Sequence, residues 1–453
     1  MSAVPHLRAP LPFIGHALSF NRDPVRLLSE GHRRFGEIFS FTLFGKQVFA
    51  LIGPRGNEGF FRAPDDVLGA RDAYRFTVPI FGPGVAYDVE PELMDEQLRL
   101  VHPALRDERM QRYAAVMAEE SDAFLDGWGE AGELDLLPVL NQLTIFIAGR
   151  CLIGEAFRRR LSEEFAGLYH DLEGGINLVA FFNPYLPLPA MHRRDRARRR
   201  VAELISGLAA ERAAGGAEEE DFLSTLMAAR YSHGGALDAE AITGLILTLL
   251  FAGQHTSAVL AAWTGLLLAR HPEHLARVQD EIAPLGDRPS LAELKRLLHL
   301  ERCMKEAERL RPPLVMLMRS VLRPFACLDT ILPPGSLAMV SPAVSHRMAG
   351  VFAAPERFDP DRFGPEREED RRTPYALIGF GGGKHRCMGL AFAHQQVKVI
   401  WARILARFEI EPVGEEPMPD YTTFVVGPRL PCRIRYRKRQ PAIAARRLES
   451  ALT

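Results

Sequence analysis

Cysteine is scarce in this chain: five residues in 453, at Cys151, Cys303, Cys327, Cys387 and Cys432, with no paired CxxC. Spacing this wide argues against a disulfide framework and against a thiolate-rich zinc or iron–sulfur site, and it suits a reducing compartment. Net charge is lacking too. Lys plus Arg number 56 and Asp plus Glu 57, a formal charge of -1, so bulk electrostatics give no case for a nucleic-acid partner. The N-terminal stretch from Met1 to Pro12 has no basic segment followed by an uninterrupted apolar core, and reads as neither signal peptide nor anchor. The most anchor-like run, Leu245 to Gly253, is too short to span a bilayer and leads into Gln254 and His255. A soluble, cytoplasmic protein is expected, unless an N-terminal anchor has been removed. Internal repeats and long flexible linkers are also missing.

What is present is enough apolar residue, 47% of the chain, for a large core. Aromatic and β-branched residues from Phe41 to Ile52 predict a small sheet, and the Pro- and Gly-rich, aromatic stretch from Asp72 to Pro91 predicts a structured loop. From about Glu92 to Arg230 amphipathic helix dominates, broken near Asn183-Pro184 and Gly215-Gly216. Asp238 can cap a long helix starting near Ala239 and ending near His271-Pro272. Its centre reads Ala252-Gly253-Gln254-His255-Thr256-Ser257, where polar groups interrupt a face that leucine could fill. A further helix is expected from Leu294 to Leu310, then short extended segments, a helix from Leu390 to Phe408, and strands near Phe424 and Ile434. The expectation is one mainly α domain over residues 1–453, with smaller β-rich portions near the N-terminus and in the C-terminal half.

Chemistry concentrates at Phe380-Gly-Gly-Gly383-Lys-His385-Arg-Cys387-Met-Gly389. Glycines allow close backbone approach, and a cysteine just before a helix meets orphan amides that favour thiolate. One thiolate can supply a strong axial ligand to a flat cofactor, whereas a tetrahedral metal site needs three or four ligands. A phosphate loop fits poorly, because Lys384 lacks a following Ser or Thr. The spacing Phe380-x-x-Gly383-x-His385-x-Cys387-x-Gly389 resembles the haem-binding signature of the cytochromes P450, and the rest of the chain carries further resemblance. Glu306-Ala-Glu-Arg309 matches the family's E-x-x-R pattern, and Pro355-Glu-Arg357-Phe matches the later segment whose arginine joins that pair. The helix centre at Ala252 to Ser257 is similar to that of the sterol 14α-demethylases, as is the loop from Tyr74 to Val85.

The resemblance implies the P450 fold, a haem b held through Cys387 as axial iron ligand, and monooxygenase chemistry. It implies contacts to the haem carboxylates from Tyr74, Arg319 and His385. Thr256 is expected to orient oxygen or its water chain, and His255 to relay protons. Phe76, Phe81 and Ala252 are expected against substrate, while Glu306, Arg309, Arg357, Phe380, Gly383 and Gly389 are structural. The implied reaction removes the 14α-methyl group of a sterol in three O2-dependent oxidations with release of formate. Electrons would come ultimately from NAD(P)H through a separate ferredoxin, flavodoxin or P450 reductase. Hydroxylation of another terpenoid or lipid, or a haem-based sensor or carrier, is the alternative. One departure stands out: where relatives commonly place a lysine that reaches a haem carboxylate, this chain has Met94 and Asp95. The arginine-rich run His192 to Arg200 is read as a solvated helix face, with peripheral contact to anionic lipid as the alternative.

Overall fold

The computed structural model describes residues 4–160, 163–176, 178–215 and 221–440. Its axis is the helix Ala239–Arg270, whose 32 residues run about 48 Å at 1.5 Å per residue. The Asp238 carboxylate caps it by accepting from Ala241 N at 2.7 Å. This helix is long and apolar enough to cross a membrane, yet most of it is buried inside the molecule. A one-sided apolar stripe is unnecessary there: Ile246, Leu250, Val259, Trp263 and Leu266 face different directions and are all buried, because helices Leu136–Leu152, Leu298–Leu310 and Leu390–Arg407 pack around it. Gly265 permits the close approach of helix Leu390–Arg407. A Cβ there would lie 1.9 Å from the Trp401 ring, and the Trp401 indole N–H donates to Ala261 O at 2.9 Å.

The five-stranded sheet runs in the order Ile38–Leu43, Lys46–Leu51, Leu337–Val340, Leu317–Val321, Leu68–Gly69. Its first hairpin closes through Phe44 and Gly45, both at positive φ, which matches the twist of paired strands. Strand Leu317–Val321 carries Arg319 towards the helical layer. A three-stranded sheet joins Ala131–Asp135, Arg433–Lys438 and Phe408–Pro412. Strand Ala131–Asp135 lies inside the region expected to be mostly helix. Its partner is Arg433–Lys438, with Glu133 and Arg435 paired across 302 positions of sequence, beyond the reach of local pattern. Phe424 is in a turn and not in a strand, and its ring packs on Phe76. The helix expected from Leu294 begins at Leu298, because Ser290 and Glu293 form a capping box that starts a separate short helix, Leu291–Lys295.

Glu306 and Arg309 are fully buried and joined at 2.7 and 2.9 Å. The third side chain of this network is Arg362, not Arg357 as expected. Arg362 meets both Glu306 oxygens, at 3.0 and 3.1 Å, and Glu369 at 2.8 Å. Arg357 is exposed and contributes only its backbone carbonyl, which accepts from Arg309 and Arg362. The reason is local: Pro360 opens the 3-10 turn Pro360–Phe363, which turns Arg362 inward. The run His192 to Arg200 also departs from a uniformly solvated face. Arg194 is buried against Asp195 and Pro184 O, and Arg198 reaches Ile80 O and Glu240, while Arg193, Arg196, Arg199 and Arg200 are exposed.

Candidate active site

The cysteine loop is a tight backbone fold. Cys387 N donates to Phe380 O at 2.8 Å, Gly381 N to Ile378 O at 2.8 Å, and His385 N to Gly382 O at 3.1 Å. Gly381 sits at φ 72, and a Cβ there would lie 2.6 Å from His385 O, so the turn requires glycine. The loop delivers Cys387 to the start of helix Leu390–Arg407. Burial pushes its thiol up from the ordinary cysteine range, against the Gly389 and Leu390 amides that favour thiolate. A metal cation at the sulfur would reverse that balance, since a coordinating thiol is deprotonated outright.

Cys387 opens into a cavity of about 350 Å³. Phe380, Met388, Gly389 and Phe392 line its cysteine side, and Leu245, Leu249, Ala252, Gly253 and Thr256 the opposite wall. One edge is polar: Tyr74, Arg319, Lys384 and His385 all line it. Arg319 is 5% exposed, donates to Phe60 O at 3.3 Å and lies over the Phe60 and Phe61 rings. Among the described residues no carboxylate forms an ion pair with it, and burial lowers its pKa. Burial raises that of Tyr74, opposed by the amide of Met318, which donates to its hydroxyl at 3.5 Å; Tyr74 also stacks on Tyr87. His385 Nε2 is 2.8 Å from Asp65 Oδ1. Burial, then Arg319, lowers the His385 pKa against the pull of Asp65.

On the opposite wall, Thr256 Oγ1 donates to Ala252 O at 2.7 Å, and Ala252, Gly253 and Thr256 face the cavity together. His255 turns to a neighbouring helix, Glu163–Gly174, where its Nδ1 lies 2.5 Å from Glu173 Oε1. Gln254 is buried and donates to Asn141 O at 3.1 Å.

A family model described as Cytochrome P450 matches residues 5–434. The chain belongs to the cytochrome P450 family. It is 37% identical to a sterol 14-demethylase of Arabidopsis thaliana over 96% of this chain and 91% of that protein. It is 39% identical to a sterol 14alpha-demethylase of Mycobacterium tuberculosis over 94% and 96%, and 36% identical to a lanosterol 14-alpha demethylase of Mus musculus over 96% and 88%. The solved structure of a retinoic-acid-bound cyanobacterial CYP120A1 superposes with a TM-score of 0.86, covering 97% of this chain and all of that one at 24% identity, a likeness of fold.

A P450 carries a haem iron, takes electrons from a redox partner and acts on a hydrophobic substrate. The residues here fit that cofactor: an apolar slot, a thiol at one face, and at the edge a buried guanidinium that lacks an anionic partner among the described residues. The P450 also has a second cavity, of about 230 Å³, lined by Phe20, Phe76, Phe181, Met316 and Phe424, and Met318 lines both this cavity and the thiol cavity. Phe76 belongs to this vestibule, stacked on Phe181 at 4.2 Å. Phe81, expected against substrate, packs into the helical core edge-on to Phe251 at 6.0 Å, because the short helix Val78–Phe81 presses it on the central helix. Tyr87 and Lys384 are among the cavity residues that lie outside the site as read from sequence. The aromatic loop is a signal for the first; the second is a lysine within the cysteine motif itself.

Proposed function

We propose that this P450 is a sterol 14α-demethylase that removes the 14α-methyl group in three successive oxidations. Alcohol and aldehyde stages precede release of formate and formation of the 14-15 double bond, consuming three O2 and six electrons in all. The observation that carries the reading is the wall Ala252-Gly253-x-x-Thr256 set across an apolar slot from Cys387, in a chain 36 to 39% identical to sterol demethylases over nearly its whole length. Haem b, held by Cys387 with its carboxylates towards Arg319, Tyr74 and His385, would supply dioxygen activation.

The chain's own residues do the rest. The Thr256 hydroxyl is anchored by its donation to Ala252 O, which leaves its oxygen free to accept a proton donor from the cavity and to hold a water there. His255 and Glu173 form a polar contact one residue away from Thr256, with Glu173 partly exposed; they serve as the proton source between solvent and the slot. The apolar walls hold a rigid hydrocarbon skeleton by burial and exclude water. Phe76, Phe181 and Phe424 select at the vestibule. Electrons originate from NAD(P)H and arrive from a separate ferredoxin, flavodoxin or P450 reductase. The free, widely spaced cysteines support a cytoplasmic setting, the whole chain acts as one P450 domain, and the exposed arginines of the 192–200 run allow peripheral contact with anionic lipid.

The test is turnover with a reconstituted electron donor and 14α-methyl sterols, followed by mass spectrometry and formate detection. Stoichiometric formate with the demethylated diene is expected. Hydroxylated product that keeps the C14 methyl group would reject the assignment.

A further inference from the structure

Asp95 stands on helix Pro91–Val101 at the place where the sequence resemblance implies a cation, and a cation of the cysteine loop meets it there. Lys384 Nζ lies 2.6 Å from Asp65 Oδ2 and donates to Asp95 Oδ2 at 3.3 Å. Three elements far apart in sequence thus meet on one ammonium: the turn after helix Pro54–Arg62, helix Pro91–Val101 and the turn Gly383–His385. Hydrogen bonding from Asp65, against the effect of burial, raises the Lys384 pKa, so it remains a cation. Arg99 does not fill the vacancy: it is exposed, and its Nε donates to Asp95 O in its own helix.

Arg319, Lys384 and Arg386 are the cations that line a slot which must accept a dianion, and Lys384 is the one that also offsets Asp65 and Asp95. Without Lys384, Asp65 keeps only His385 and Asp95 loses its side-chain cation among the described residues, beside the two carboxylates of the cofactor. Lys384 lines the cavity beside Arg319 and His385, within the same cluster of side chains.

We propose that Lys384 is the residue that takes over the missing helix cation: held in place by Asp65 and Asp95, it positions the haem by pairing with its carboxylate edge from the cysteine loop. The role depends on family membership alone, so a holoprotein that fails to demethylate sterols leaves it standing.

The experiment measures haem loss from purified holoprotein to excess apomyoglobin, with the reduction potential as a second readout. Lys384→Gln is expected to release haem about tenfold faster, the loss of one charge-assisted contact, and to move the potential to more negative values. Lys384→Arg should behave as wild type. Adding Asp95→Lys to Lys384→Gln returns the cation from the helix side and should restore both readouts, whereas Arg99→Gln should change neither. A lysine that only braces the loop would speed haem loss without moving the potential and would not be rescued from residue 95. Wild-type behaviour of Lys384→Gln, or failure of the double variant to recover, overturns the proposal.

Discussion

Replacing Arg362 should unravel the cysteine side of the molecule, and replacing Arg357 should not. Glu306 is fully buried, and its carboxylate receives Arg309 at 2.7 and 2.9 Å, Arg362 at 3.0 and 3.1 Å and the Asp359 amide at 2.9 Å. Arg362→Leu removes one of two guanidinium groups from that carboxylate and strips Glu369 of one of its two arginines, leaving it Arg367. Breaking a buried pair from one side costs about 3–5 kcal/mol, a large part of the roughly 5–15 kcal/mol that holds a domain folded. Arg357→Ala takes away an exposed side chain and keeps the carbonyl that Arg309 and Arg362 use, so about 0.5 kcal/mol or less is expected. The assay is thermal unfolding together with the reduced carbon monoxide difference spectrum per milligram of purified protein. Arg362→Leu should lower the yield of thiolate-ligated haem severely, and Arg357→Ala should match wild type. Equal damage from both would refute the geometry, and greater damage from Arg357→Ala would restore the sequence-based assignment.

Glu308 is buried, and burial pushes its carboxyl pKa up to about 8 from 4.5. The folded state therefore binds the extra proton between those values: the stabilisation is full below pH 4.5 and is lost as pH rises through 8, at about 1.4 kcal/mol per pH unit. Glu308→Gln should unfold like wild type at about pH 5 and at a higher temperature than wild type at about pH 8; identical pH profiles would contradict this. Thr256→Ala keeps the cavity wall but loses its hydroxyl, so demethylation should fall about 10²-fold or more with an unchanged haem spectrum, while unchanged product per electron consumed would remove Thr256 from proton handling. Cys387→His should shift the optical and electron-spin signatures of the iron away from a thiolate complex, and retention of the wild-type spectra would remove Cys387 as ligand.

The features legible in the sequence are those fixed within a few residues. The cysteine loop is written in consecutive positions, and the central helix announces its start through Asp238 and its end through Pro272. The choice between Arg357 and Arg362 is different. Both lie after the E-x-x-R helix in the same loop, and only the turn set by Pro360 decides which guanidinium reaches Glu306. Phe76 and Phe81 likewise share one aromatic stretch, yet one faces the vestibule and the other the core. Lys384 is legible as a letter of the motif, but its partner Asp95 is 289 residues away. Local propensity carries no information about such pairs, which exist only once the helices have packed.

The two charged clusters flanking the cysteine loop are built on opposite principles, and that contrast predicts how the protein responds to losing its cofactor. Glu306, Arg309, Arg362 and Glu369 satisfy one another within the chain and need nothing from the slot. Arg319 is buried with a carbonyl and two aromatic rings for company, so at the edge it shares with Tyr74 and His385 its guanidinium has no ion-pair partner among the described residues and would gain one from an anion in the slot. A ligand that binds the folded state alone stabilises it in proportion to the logarithm of its affinity, and here the gain falls on the edge. Haem removal should therefore raise amide hydrogen exchange at Phe60, Phe61, Tyr74 and the 384–389 loop by an order of magnitude or more, while amides of the Leu298–Leu310 helix stay protected to the global limit. Uniform loss of protection across both clusters would mean that the Glu306 network also depends on the cofactor, and that its closed geometry does not make it independent.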